Sequence, residues 1–98
     1  MKKQLVAENS DVCEVTFELP ADVNAQTACV VGEFNDWNVE SNPMTRGKDG
    51  SFSVIVSLKV GQAYRFRYLL DDGRWENDPA ADAYEPNPYG SDDSVVQL

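Results

Sequence analysis

The sequence predicts an all-β domain, an antiparallel sandwich of short strands, and three observations carry that expectation. Apolar and polar residues alternate through three eight-residue runs, Val12–Leu19, Ser51–Leu58 and Ala63–Leu70, the period of a half-buried strand. Turn-forming residues separate the runs at near-regular spacing, as in a sandwich. No segment carries the period of a helix.

Along the chain, Cys13, Val15, Phe17 and Leu19 face one way and Glu14, Thr16 and Glu18 the other. Pro20 ends this strand, because proline has no N–H to give to a ladder. Thr27–Gly32 is more continuously apolar and runs into Glu33-Phe34-Asn35-Asp36-Trp37-Asn38, which is rich in turn formers. Asn42-Pro43 opens a loop, and Gly47-Lys48-Asp49-Gly50 has hairpin chemistry. The third strand turns Phe52, Val54, Val56 and Leu58 inward and Ser51, Ser53 and Ser57 outward, with Ile55 an apolar exception. After Gly61, the fourth places Tyr64, Phe66, Tyr68 and Leu70 inward and Arg65, Arg67 and Leu69 outward. Asp71-Asp72-Gly73 returns the chain through Arg74–Asn77. Residues 78–93 hold three prolines and many small or acidic side chains, which predicts a long surface loop. Ser94–Leu98 closes the set, making six strands in all, with residues 1–11 as an N-terminal extension and 12–98 as the sandwich.

The 98 residues suit a single domain, and at 42% apolar content a packed core is feasible. Eight basic against 17 acidic residues give a net charge of −9. Such a surface repels phosphate backbones and anionic lipid heads, which argues against nucleic acid and membrane as partners. A neutral polysaccharide meets no such repulsion. No apolar run has membrane-spanning length, and the two lysines near Met1 precede no apolar stretch, so no signal peptide is expected and the cytoplasm is the expected compartment. Cys13 and Cys29 fit no metal spacing and read as buried thiols; a disulfide requires neighbouring strands, and a reducing compartment disfavours one.

Reactive groups are scarce. There is no histidine, so neither a Ser–His nor a Cys–His pair can be built. No glycine loop of phosphate-binding type is present. The carboxylates sit mainly in turns and on solvated strand faces, and Asp71-Asp72 and Asp92-Asp93 lack the spacing of a calcium loop. No catalytic residue, cofactor or metal is therefore expected. Trp37 and Trp75 stand in or beside turns, and Arg67 points away from the core stripe. Flat rings with nearby donors suit the apolar face and outward hydroxyls of a sugar. Each residue also has a plainer reading: a loop plug for Trp37, a core edge for Trp75 and a solubility charge for Arg67.

The run Val31-Gly32-Glu33-Phe34-Asn35-Asp36-Trp37-Asn38 resembles the G-x-F-N-x-W signature of the family 48 carbohydrate-binding modules. These include the glycogen-binding domain of the AMP-activated protein kinase β subunit and the early-set domains of isoamylases and branching enzymes. Asn42-Pro43-Met44-Thr45-Arg46, Phe66-Arg67-Tyr68, Asp72-Gly73-Arg74-Trp75, Asn77-Asp78-Pro79 and Asp93-Ser94-Val95-Val96 continue the likeness in order. It implies an immunoglobulin-like, early-set sandwich that binds α-1,4-glucan without catalysis. By the same resemblance, Trp37 and Trp75 stack on sugar and Arg67 stands in place of a lysine that reaches sugar hydroxyls. Asp93 falls where stronger binders have asparagine, and Tyr89 near a leucine that wedges against the ring. The alternative is a docking module for a glycan-metabolising enzyme or a kinase, with Ile55 and Leu69 on an apolar outer face.

Overall fold

A computed structural model describes residues 1–6, 11–71 and 73–98. Among these residues the strands are β1 (Lys2–Leu5), β2 (Val12–Leu19), β3 (Ala28–Gly32), β4 (Thr45–Arg46), β5 (Phe52–Lys59), β6 (Ala63–Leu70), β7 (Trp75–Glu76), β8 (Ala83–Pro86) and β9 (Asp92–Gln97). All pairings are antiparallel. One sheet has the order β1-β2-β5-β4; the other has β3-β6-β9-β8, with β7 also on β6. The molecule is thus an all-β sandwich of two antiparallel sheets, as the alternation implies, and accords with the immunoglobulin-like fold that the resemblance implies.

The alternating runs supply the facing surfaces. Val15, Phe17 and Leu19 from β2 meet Phe66, Tyr68 and Leu70 from β6, all buried. Phe17 bridges the sheets, its ring 4.9 Å from Phe66 edge-on and 5.4 Å from Phe34 in a stack. Such pairs add about 0.5–1.5 kcal/mol each beyond the area they bury. Ile55 points out on the β2/β5 sheet, and Leu69 on the outer face of the other. The two belong to opposite sides of the sandwich and do not form one apolar patch.

Three expectations are corrected. Residues 2–5, assigned to an extension, form the edge strand β1 along β2, from Lys2 opposite Thr16 to Leu5 opposite Cys13. The 78–93 segment is not one loop, since β8 within it pairs with β9. Thr45–Arg46 adds the short β4, after a crossing segment in which Met44 N donates to Ala28 O and Asn42 O accepts from Val30 N. The three strands share a cause. Each lies at a sheet edge with side chains largely in solvent, so no alternation marks them. The 71–73 turn is bounded by Gly73 N donating to Leu70 O, while Asp72 lies outside the described residues. Cys13 is buried in the core; Cys29 is half-buried on the outer face of the other sheet, and both thiols are free.

A buried polar network ties the core to the segment after β7. Tyr68 donates its hydroxyl to Asp78 Oδ2 at 2.7 Å, Asp78 N donates to Ser94 Oγ, and Ser94 Oγ donates to Asn77 Oδ1. Burial, then the Asp78 charge and hydrogen bond, push the Tyr68 phenol far above its ordinary value of 10.0. The unfolded chain therefore releases this proton first. Tyr68 stabilises the fold fully below pH 10, and that contribution falls as pH rises beyond it, by about 1.4 kcal/mol per pH unit. Urea unfolding between pH 9 and 11.5 should show the loss, and Tyr68→Phe should flatten it. The same variant should cost about 1–3 kcal/mol at pH 7, because Asp78 loses a buried donor.

Candidate functional site

The outer face of the β3-β6-β9-β8 sheet carries the candidate site. On this face the register sets Arg67 of β6 opposite Val31 of β3, Arg65 opposite Val95 of β9, and Leu69 opposite Trp75 of β7. Val31 and Val95 are buried here beneath the side chains and loops that cover the face.

Trp37 reaches the face through the turn after β3. Gly32 leads into a 3-10 turn over Glu33–Asn35. A Cβ at Gly32 would stand 2.5 Å from Arg65 O and 2.8 Å from the Phe66 Cβ, so only glycine lets this turn lie on β6. Asn35 locks the turn: its Nδ2 donates to Val30 O and Asn42 Oδ1, and its Oδ1 accepts from Gly32 N. Asp36 and Trp37 then both take left-handed backbone, at φ 55° and 59°, with Trp37 N donating to Gly32 O. A bulky residue is strained in that region. Its surroundings over-determine it and leave the indole 40% exposed. Trp75 follows the β6–β7 turn, where Gly73 supplies the positive φ, and is 43% exposed.

The two outward arginines of β6 have different surroundings. The Arg65 guanidinium donates to Pro86 O and is paired with Glu85 at 2.6 Å and Asp93 at 3.4 Å. Arg67 has its guanidinium carbon 5.9 Å from the Trp75 ring centre, and its Nη1 reaches only Ser91 Oγ, at 3.4 Å, among the described residues. Its Nε is buried with no acceptor among them. Arg67 therefore keeps donor capacity on this face. Beyond β8, Asn87 and Pro88 lead to Tyr89, which is 91% exposed at the tip of a turn. On β3, burial pushes the Cys29 thiol above its usual value, against a smaller opposing effect of Leu69 O.

Trp37, Arg67, Trp75, Asn87, Pro88, Tyr89 and Asp93 line one cleft of about 610 Å³, a size common for small-ligand sites. All five residues singled out from the sequence therefore stand around one opening. Asp93 differs from its expected setting: it lies on strand β9, not a loop, and its side chain is 9% exposed. Sequence reasoning missed Asn87. The signal was Asn87-Pro88-Tyr89-Gly90, a turn sequence hidden in a segment read as featureless loop.

Residues 7–85 match the family model for carbohydrate-binding module 48, the isoamylase N-terminal domain. The chain belongs to this family. The module is similar to the 1,4-alpha-glucan branching enzyme GlgB of Lactobacillus acidophilus, 42% identical over 78 residues, 76% of this chain and 12% of the enzyme. The enzyme of the same name from Deinococcus radiodurans is 37% identical over 66% of the chain and 10% of its own length. That from Prochlorococcus marinus is 30% identical over 88% and 12%. The module thus spans about a tenth of the branching enzymes it matches. Trp37, Arg67 and Trp75 fall inside the family match, whereas Asn87, Tyr89 and Asp93 lie beyond residue 85.

Replacing Asn35 with alanine leaves Gly32 N and Val30 O without their partners. The expected cost is about 1–3 kcal/mol, read as a lower urea midpoint at unchanged slope, with a shift in tryptophan emission as Trp37 loses its support.

Proposed function

We propose that the module binds α-1,4-linked glucan, such as glycogen, starch or a maltooligosaccharide, without catalysing a reaction on it. One observation carries this: two half-exposed tryptophans and the available guanidinium of Arg67 converge on a single cleft of the outer sheet face. The indole faces cover the C–H side of glucose units. Arg67 donates to the hydroxyls at their rim, and Tyr89 supplies a further wall. A neutral ligand suits a chain of charge −9. Membership of a carbohydrate-binding family and likeness to glucan branching enzymes point to the same ligand class. No helix among the described residues is long and apolar enough to cross a membrane. Ile55 and Leu69, which the docking alternative would use together, lie on opposite faces and do not form one patch.

Titration with maltoheptaose or β-cyclodextrin, followed by tryptophan fluorescence and amide NMR shifts, tests the reading. Affinity is expected between roughly micromolar and millimolar, since ordering costs consume much of the contact energy. Trp37→Ala and Trp75→Ala should each weaken binding at least tenfold, about 1.4 kcal/mol or more. Silence at several millimolar ligand would sink glucan binding and promote docking. Incubation with soluble starch should release no reducing ends.

A further inference from the structure

The cleft has a wall whose support lies behind it. Asn87 is the centre of the turn that carries Tyr89. Its Oδ1 accepts from Tyr89 N at 2.9 Å and Ser91 N at 3.3 Å, and its Nδ2 donates to Ser91 Oγ at 3.0 Å and to Asp93 Oδ1 at 3.1 Å. Asn87 N also donates to Ser91 O. Both ends of this amide are used within the protein, so it has no hydrogen to spare for a ligand. Asp93 is engaged in the same way, with Oδ1 held by Asn87 and Oδ2 by Arg65. Arg65 lies outside the cleft lining and joins Asp93 to Glu85 and Pro86 of β8. Ser91, held by Asn87, is in turn the acceptor for Arg67.

We propose that Asp93 is a positioning residue, not a sugar ligand, and that with Arg65 it holds Asn87 so that the 87–91 turn presents Tyr89 and steadies Arg67 against the ligand. The proposal rests on the glucan-binding reading. It reverses what the resemblance implies for this position. An asparagine there would be an additional sugar partner; in this chain an amide has one oxygen for two donors. Either Arg65 or Asn87 would face an NH2 group, and the wall would loosen. The acid is required by the two donors behind the wall. Its negative charge is met by Arg65 and adds little repulsion in the cleft.

The test uses the full chain in two arms. Without ligand, the Asn87 side-chain amide protons should be well dispersed and slow to exchange in the wild type, and should move to the positions of solvated amides in D93N and in Arg65→Met, with shifts at Tyr89 and Ser91. With maltoheptaose, D93N and Arg65→Met should each weaken binding by roughly 3–10-fold, although Arg65 does not line the cleft. In a Tyr89→Ala background the further loss from D93N should shrink, because coupled residues are not additive. Equal or tighter binding by D93N, losses that simply add, or an unchanged Asn87 amide would each overturn the proposal. Thermal melts verify folding, and if D93N does not fold, Arg65→Met carries both arms. A wild type that binds no glucan removes the functional reading, while the ligand-free arm still decides whether Asp93 and Arg65 hold the turn.

Discussion

Strand β6 sets one face against the core and the other against the cleft, and the pleat couples the two. Tyr64, Phe66, Tyr68 and Leu70 point to the facing sheet, so Arg65, Arg67 and Leu69 must point away from it. A one-residue slip in its pairing with β3 or β9 would bury the arginines and expose the aromatic stripe. The ring contacts from Phe17 to Phe66 and from Phe66 to Tyr68 therefore do more than hold the sheets together. They fix the register that places Arg67 beside Trp75. Core packing and site geometry are two consequences of one constraint.

Polar order behind the site follows from burial. Tyr68, Asp78, Ser94 and Asn77 satisfy one another where the second sheet meets the segment after β7. Tyr84 adds its hydroxyl to Asp78 O, and Asn77 donates to Asp92 O. Partly satisfied, such a network would cost stability; fully connected, it gives the segment a single path. That path starts from β7, which carries Trp75, and leads into β8. From there Arg65 extends the order through Glu85 and Asp93 to the turn at Asn87. The aromatic groups around the cleft stand on supports that interlock, so a ligand bound there as proposed would spend little energy on arranging them.

Charge is divided in the same spirit. The chain is strongly acidic, yet the acid that lines the cleft, Asp93, is paired with Arg65, which also holds Glu85. What remains along the cleft, beside Asn87 and Pro88, is two indoles, a phenol and one guanidinium. Such a lining favours an apolar ring face edged with hydroxyls over an anion or a cation.

The sequence determined the central strands and the contents of their two faces. In β2, β5 and β6 the alternation is complete enough to name each buried residue, because a strand with partners on both sides must bury one face. The turn after β3 was legible from its local Asn and Asp residues, while the roles of the two tryptophans came from the family resemblance. Edge strands β1, β4 and β8 were not. Their pairing is dictated by a neighbouring backbone that leaves the side chains in water and writes no pattern. The setting of Asp93 was beyond the sequence as well, since the Arg65 that meets it lies 28 positions away and is brought near only by the β6–β9 pairing. On the central strands β2, β5 and β6, the sequence by itself settled which residues point outward. Tertiary structure alone decided which of those meet each other and which are left for a ligand, because strand pairing joins residues by register and not by their distance along the chain.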